Sequence, residues 1–590
     1  MQKFLDMISQ DMMQAFEEAG YDPALGRVTV SNRPDLAEYQ CNGAMAGAKK
    51  YHKAPFMIAG DVAKILQDKS STFSQVDVVK PGFLNLKVSE SFLKDYLQRM
   101  STEDRFGMEL PEKPTKIVLD YGGPNVAKPL HVGHLRSAVI GEAVKRICRY
   151  HGEEVIGDIH LGDWGLQMGL VITEVSKRNP DLPYFDPLFT GEYPAEAPFT
   201  VSELEEIYPF ASAKSKEDPE YYAEAMEATH RLQSGDRGMR ALWEKIIEVS
   251  VADMKKNYEK LNVSFDLWWG ESTVNDTIPA MVEKMKEDGF AHESSGALVV
   301  DVAEETDSKE LPPCMILKSD GAALYTTTDL ATIWEREKQF APDQMIYITD
   351  KRQELHFTQV FRCARKTGII RPETELRHIG FGTMNGKDGK PFKTRAGGVM
   401  RLQTLIEDIN TEMLGKIKSN EEIPEEEARD TAAKVALAAL KYGDLSNQAS
   451  KDYVFDLERF TSFEGDTGPY ILYTIVRIKS ILAKYADQGG EAVSASDLLP
   501  AAGKLEKSLM FDLAGFSAMM DGAYQDLAPH RICAYIYQLS NDFNSFYHAT
   551  RILTEEDAAR KKSWIALLEL TEQVLLTCIH VLGFDSPERM

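Results

Sequence analysis

Two kinds of hydrophobic spacing divide this chain. Short runs bounded by turn formers at 117–121, 154–158, 345–349 and 378–384 predict strands, and the 3.6-residue period between them is strongest over 135–150. Strands alternating with helices predict a parallel sheet covered by helices. From about 170 to 315 the alternation gives way to long, charged helix patterns with proline-bearing loops, which predicts a helical insertion within the sheet domain. From 425 the strands stop, and helical periodicity over 425–442, 469–485, 505–524, 530–547 and 562–582 predicts an all-α C-terminal bundle. The first part mixes an opening helix, a polar turn at 31–35, helices near 44–50 and 58–68 and a closing strand at 83–88, an α+β pattern. The charged, proline-bearing stretch 109–114 marks a linker. The expected domains are therefore 1–112, 113–424 and 425–590.

Bulk properties narrow the class. At 590 residues the chain is too long for one core. Its hydrophobic and charged shares, 43% and 27%, are those of an ordinary globular protein. No apolar run is seen to approach the ~20 residues of a membrane span. The N-terminus, amphipathic and acidic, has no secretory or transit character, so a cytoplasmic protein without membrane contact is expected. The six cysteines are far apart and never in a C-x-x-C, which argues against a disulfide framework or a structural zinc and for buried thiols. A net charge of −25 makes nucleic acid an unobvious partner, although a local basic stripe is compatible with it. No exposed apolar seam stands out, which favours a monomer.

The richest stretch runs from the strand at 117–121 through Pro124, Asn125 and Lys128 to His131-Val132-Gly133-His134 at a helix start. Such a turn offers free N–H groups and a positive dipole end to an anion. Gly133 lets a flat base approach, and Lys128 makes the pocket suit a triphosphate better than a metal. A two-histidine turn without a role would look the same. Past the strand at 154–158, His160-Leu161-Gly162-Asp163-Trp164-Gly165-Leu166-Gln167 lies where open α/β sheets bind ligands, or is a tight turn around a core tryptophan. Around 318–331, Asp320-Gly321 signals a turn and the β-branched Thr326–Thr328 run suggests a strand. Tyr325 and Asp329, four apart at the opening of a helix pattern, can face one pocket. A buried carboxylate there needs a cation, and a guanidinium fits; an acid capping backbone donors is the alternative. Finally, 386–398 is a glycine-flanked loop with Lys390, Lys393 and Arg395, suited to gripping a triphosphate or simply a solvated basic hairpin.

In combination and order, these motifs resemble the arginyl-tRNA synthetase family of class I aminoacyl-tRNA synthetases. The resemblance covers essentially the whole chain. It includes 39–44 and 82–85 near one end, and Gly468-Pro469-Tyr470 and Pro587-Glu588-Arg589-Met590 towards the other. It implies a Rossmann-type catalytic domain, an N-terminal domain contacting tRNA and a C-terminal anticodon-binding bundle. It further implies ATP, accompanied by Mg²⁺ as a counterion with no tightly held protein metal, L-arginine and tRNA(Arg) as substrates. Carried over by residue, Asp120, Gly123, Pro124, Asn125, His134, Tyr325, Asp329 and Gln353 would bind arginine. His131, Gly133, His134, Lys390 and Lys393 would bind ATP. Lys128, His131, His134, Lys393 and Arg395 would serve catalysis, and Tyr39, Gln40 and Asn42 would meet tRNA. The family requires tRNA before it activates arginine. Two departures stand out: Gly122-Gly123 replaces the usual serines, and the 390–395 loop lacks K-M-S-K-S, for which the resemblance implies that Lys128 compensates. A synthetase-like binding protein without catalysis is the alternative.

Overall fold

The computed structural model describes residues 1–33, 35–390, 400–419 and 424–590. Two compact units form, one from 113–462 with 582–584, the other from 1–112 with 463–581 and 585–590.

The first unit is built on β1 (Lys116–Tyr121), α1 (Val132–His151), β2 (Glu154–Asp158), α2 (Leu166–Arg178), α3 (Val201–Glu217), α4 (Pro219–Gln233), α5 (Arg237–Lys260), α6 (Ile278–Glu287), β3 (Ala291–Ser294), β4 (Ala297–Val300), β5 (Cys314–Leu317), α7 (Tyr325–Phe340), β6 (Gln344–Asp350), α8 (Glu354–Lys366), β7 (Glu375–Phe381), α9 (Leu402–Lys418) and α10 (Glu425–Leu445). Four strands make a parallel sheet in the order β7-β6-β1-β2, with Leu119 opposite Ile346 and Gly157. β1 is buried at every position after Lys116, as a strand covered on both faces must be. Val118, Met345 and Tyr347 join Ile316, Leu330, Val360 and Cys363 in one core under α7 and α8. Crossing from β1 to its neighbours reverses direction between β1 and β6, and that switch point is where an open α/β sheet opens a crevice.

α1 shows how tightly that crevice is backed. Its Arg136, Glu142 and Lys145 are almost wholly buried. Arg136 donates to Asp444 at 3.1 Å and to the carbonyls of Gly382 and Lys451. Glu142 accepts from Arg146 at 2.7 Å and pairs with Lys145 at 2.8 Å. Breaking one such buried pair typically costs about 3–5 kcal/mol. α10 packs on α9 and α1, so the helical segment expected to open the C-terminal bundle at 425 lies, over its first stretch, in the sheet unit.

The expected insertion is helical in α2 to α6 but not throughout. Towards its end β3, β4 and β5 add a small antiparallel sheet that the helix patterns of the sequence did not announce. The β-branched run Thr326–Thr328, suggestive of a strand, lies in the first turn of α7. There the hydroxyls satisfy the backbone: Thr327 Oγ1 accepts from Leu324 N at 2.8 Å and donates to the Ile316 carbonyl at 2.5 Å.

In the second unit, strands Val28–Val30, Tyr39–Cys41, Phe83–Val88 and Phe73–Val79 pair antiparallel in that order, flanked by helices Phe4–Glu18, Pro55–Lys69 and Glu90–Thr102. Helices Gly468–Asp487, Lys504–Ala514, Phe516–Gln525, Pro529–Ala549 and Ala558–Leu582 complete it. The single helix expected over 505–524 is two, meeting at Gly515. Lys507 Nζ seals the two halves of this unit, reaching Glu38 at 2.8 Å and Glu90 at 3.0 Å. Ala558–Leu582 is long and apolar enough to cross a membrane, contrary to the expectation that no run approaches that length. Two thirds of its most apolar stretch is buried, with Leu568, Val574, Leu575 and Cys578 fully inside. All six cysteines are free and buried.

Candidate active site

A cavity of about 510 Å³ opens at the carboxyl ends of β1, β6 and β7. Asp120 and Gly123 follow from β1, His131, Gly133 and His134 from the start of α1, and Gln353 from the turn after β6. Six of the residues expected at the site thus share one cavity wall.

The two histidines hold each other in place. His131 is the N-cap of α1, and its Nδ1 accepts from Gly133 N at 3.0 Å; His134 Nδ1 accepts from His131 N at 3.1 Å. This reciprocal capping box satisfies two donors that the helix start would leave free. Their ring centres are 3.9 Å apart. An Nδ1 that accepts forces the proton of a neutral imidazole onto Nε2, so each ring carries an Nε2–H donor. Neutrality follows from the surroundings. Burial first, then His131, drives His134 down to about 3, with Lys128 adding to the shift. Burial and Lys128 also lower His131.

The turn from β1 is zippered to the turn from β2. Asn125 bridges Gly162, with Val126 N donating to the Gly162 carbonyl at 3.0 Å and Gly162 N to the Pro124 carbonyl at 3.1 Å. A Cβ at Gly162 would lie 1.9 Å from Asn125 Oδ1, so any side chain there would displace the Asn125 amide. The departure at 122–123 has a structural reason in part. Gly122 has φ +91°, and a Cβ there would press on the Phe265 ring at 2.9 Å. Serine at 122 is therefore disfavoured by strain and contact. Its N–H is served by Ser137 Oγ at 2.9 Å, which itself donates to the Ile348 carbonyl. At Gly123 the nearest atoms stand at ordinary contact distance, and nothing in the structure explains that replacement.

Tyr325 and Asp329 open α7 rather than line this cavity. Asp329 Oδ2 pairs with His356 Nε2 at 2.5 Å, and the Tyr325 side chain is 72% exposed. Sequence reasoning missed a second acid beside them. Glu271 follows a short stretch that extends the sheet edge, where Leu267 bridges Asp158 and Gly270 bridges Leu161. Burial foremost, then the negative charges of Asp163 and Asp329, push its carboxyl up to about 8. Asp163 does not face a ligand alone, since it accepts from Ser272 N at 2.9 Å and Ser272 Oγ at 2.5 Å, anchoring the Glu271 turn. The signal for Glu271 was an acid set one glycine past the largely apolar run 263–269, 108 residues from Asp163 and 58 from Asp329.

Asp120 also has a partner that the sequence did not reveal. Arg336 on α7, fully buried, donates to Asp120 Oδ2 at 2.7 Å, Asp158 Oδ2 at 2.6 Å and Tyr347 Oη at 3.1 Å. Asp120, Asp158 and His160 lie close enough to share a metal ion, but that guanidinium already occupies both carboxylates. Burial still raises the Asp120 carboxyl, with Arg336 opposing it.

Lys128 Nζ stands 4.3 Å from the centre of the Tyr208 ring. Lys390 sits on an exposed hairpin closed by Gly386 N donating to the Lys390 carbonyl at 2.8 Å. Lys393 and Arg395 lie outside the described residues. In the other unit, Tyr39 packs between Phe4 and Phe511, Gln40 donates to Asn85 Oδ1 at 2.9 Å, and Asn42 is exposed.

A parallel sheet with neutral paired imidazoles on a strand-to-helix turn is the fold and site of a class I aminoacyl-tRNA synthetase. Comparison narrows it. Residues 97–457 match the family model for class I (R) tRNA synthetase catalytic domains, 3–88 the arginyl-tRNA synthetase N-terminal domain and 471–590 the DALR anticodon-binding domain. The chain is 61% identical to the arginine–tRNA ligase of Agathobacter rectalis and 54% to that of Alkaliphilus oremlandii, each covering 100% of both chains. The fold is similar to that of arginyl-tRNA synthetase from Plasmodium falciparum (TM-score 0.79, 23% identity) and from Thermus thermophilus (TM-score 0.76, 22% identity), each over 100% of both chains. The chain belongs to the arginyl-tRNA synthetase family.

Proposed function

We infer that the chain is an arginine–tRNA ligase that activates L-arginine with Mg²⁺-bound ATP and passes the arginyl group to the 3′ end of tRNA(Arg). The observation that carries this reading is the acidic ground opened by α7, where Asp329, Glu271 and Tyr325 meet, near an anion-binding turn at the start of α1. Beside Asp329, held only by a histidine, and the enclosed Glu271, a cation is the favoured guest, and a guanidinium offers two parallel N–H donors to one carboxylate.

In this reading, Asn125, His134 and Gln353 hold the arginine amino and carboxylate groups, with Gly123 and Pro124 shaping the turn. Asp329, Tyr325 and Glu271 take the guanidinium; Asp120, expected as a further carboxylate, is instead held by Arg336. The arginine carboxylate attacks the α-phosphorus of ATP, giving arginyl-adenylate and pyrophosphate. The 2′-hydroxyl of the terminal tRNA adenosine then attacks the acyl carbon and AMP leaves. Nε2–H of His131 and His134 donates to charge that develops on phosphate oxygens, with Lys128, Lys390, Lys393 and Arg395 as cations. Residues 1–112 contact tRNA, with Tyr39, Gln40 and Asn42 as candidates; 113–424 carry catalysis and 425–590 read the anticodon. The imidazole pair and Lys128 support an enzyme over a synthetase-like binding protein.

The test is ATP–pyrophosphate exchange with arginine, lysine or cysteine, each with and without tRNA(Arg). Exchange with arginine alone among the three is expected, and only with tRNA present. Exchange with arginine in the absence of tRNA would remove the tRNA requirement; no exchange at all would sink the enzyme assignment.

Glu271 adds a pH prediction. With its carboxyl at about 8 in the free protein, it is protonated at neutral pH and must lose that proton to pair with a guanidinium. Arginine affinity should therefore rise with pH from 6 to about 8 and level off above, by up to about tenfold per unit. Glu271→Gln should flatten the profile, measured as arginine KM at saturating ATP.

A further inference from the structure

We propose that Tyr208, on the insertion helix α3, is a positioning residue that stations the Lys128 ammonium beside the histidine turn. The proposal rests on the reading of Lys128 as a phosphate ligand.

The backbone around Lys128 is fixed from three sides. Ala127 N donates to the buried Ser250 Oγ at 3.0 Å, Gln167 Nε2 donates to the Val126 carbonyl at 2.5 Å, and Asn125 is bridged to Gly162. What remains free is the four-carbon stem and its charge. Among the described residues, no carboxylate lies within ion-pair distance of Nζ; the contact the structure provides is the Tyr208 ring, 4.3 Å away.

That ring is itself held. It packs on the apolar cluster of Leu170, Ala211, Tyr221 and Ala225, where α2, α3 and α4 meet. One turn earlier on the same helix face, Glu205 pairs with Arg401 at 2.6 Å, and the Arg401 backbone bridges His131. Val132 N donates to the Met400 carbonyl and Leu402 N to the Leu130 carbonyl, which completes the bridge. The 205/208 face of α3 thus touches the histidine turn through two cations.

The chemistry favours a ring over an acid at this place. A carboxylate would hold the lysine more tightly, but it would compete with phosphate for the same charge. An aromatic face attracts an ammonium through its quadrupole while leaving the formal charge uncompensated. Lys128 is held within reach of the histidine turn and yields to a triphosphate at small cost. The lowering of both imidazoles by Lys128 agrees with an ammonium standing this close.

The experiment uses the full chain with tRNA(Arg) in ATP–pyrophosphate exchange, and compares wild type, Lys128→Met, Tyr208→Leu and the double variant. Tyr208→Leu should lower kcat/KM for ATP about tenfold and leave the arginine KM within about twofold. In the Lys128→Met background the same change should add less than about twofold. Full, independent losses from both changes would overturn the proposal and leave the Lys128 reading standing. Wild-type exchange by Lys128→Met would overturn both. A second series avoids any loss of fold: phenylalanine and its mono-, di- and trifluoro analogues at 208 keep the shape while weakening the ring quadrupole. ATP kcat/KM should fall stepwise with fluorination, whereas a flat response would overturn the proposal.

Discussion

Replacing Asp329 by asparagine should raise the arginine KM about 10²–10³-fold and leave the ATP KM within about twofold. The side chain keeps its volume, so the cost is one of charge. Asp329 stands at the opening of α7, 22% exposed, with one oxygen on His356. A guanidinium reaching it would lose most of its water, and an unpaired charge in such a place costs several kcal/mol. His356 matters because it orients the carboxylate, its Nε2 lying 2.5 Å from Asp329 Oδ2. A titration of arginine into tRNA-primed exchange separates the outcomes. A selective rise in the arginine KM supports the guanidinium role. An equal change for ATP would mean that α7 has merely been disturbed, and an unchanged arginine KM would move the specificity pocket elsewhere.

How far the sequence carried depends on where the determining contacts lie. The parallel strands and α1 were legible because β1 and β6 are buried on both faces and so contain near-continuous apolar runs. The turn His131–His134 was legible because its chemistry is local, one helix start satisfying its own donors. The small sheet of β3, β4 and β5 was not. Its strands have four residues each, and β3 is largely exposed, too little for period-2 alternation to stand out. Thr326–Thr328 misled because β-branched residues favour strands unless their hydroxyls find backbone partners, as Thr327 and Thr328 do. Arg336 and Glu271 were illegible for a different reason. Each looks like a solvated charge in its own segment, and only the fold reveals that Arg336 balances two acids from β1 and β2 or that Glu271 is enclosed beside Asp163. Buried charges gain their meaning from partners distant in sequence, which periodicity does not record.

The histidine pair gives the other large expected effect. His134→Ala should lower kcat for exchange about 10²–10³-fold, the usual loss when a donor aimed at developing charge is removed. It should also cost about 1 kcal/mol of stability, because His134 Nδ1 closes half of the capping box at the start of α1. Asparagine separates the two roles. Its amide oxygen can accept from His131 N as Nδ1 does, which restores the cap, while its amide nitrogen reaches less far than Nε2. His134→Asn should therefore recover the melting temperature more fully than the rate. The pH dependence provides an internal check. His134 lies at about 3 and His131 below its ordinary value, both lowered foremost by burial, so neither changes charge between pH 6.5 and 9. With arginine saturating, kcat should be flat across that window. Acidification acts instead on stability, since the unfolded chain takes up protons that the buried imidazoles refuse, and stability should fall as pH drops below about 6.5. A kcat that falls as pH rises through an apparent pKa near 6.5 would show that one of the rings acts in its charged form. The two-donor account of the phosphate site would then give way to one in which an imidazolium supplies the charge.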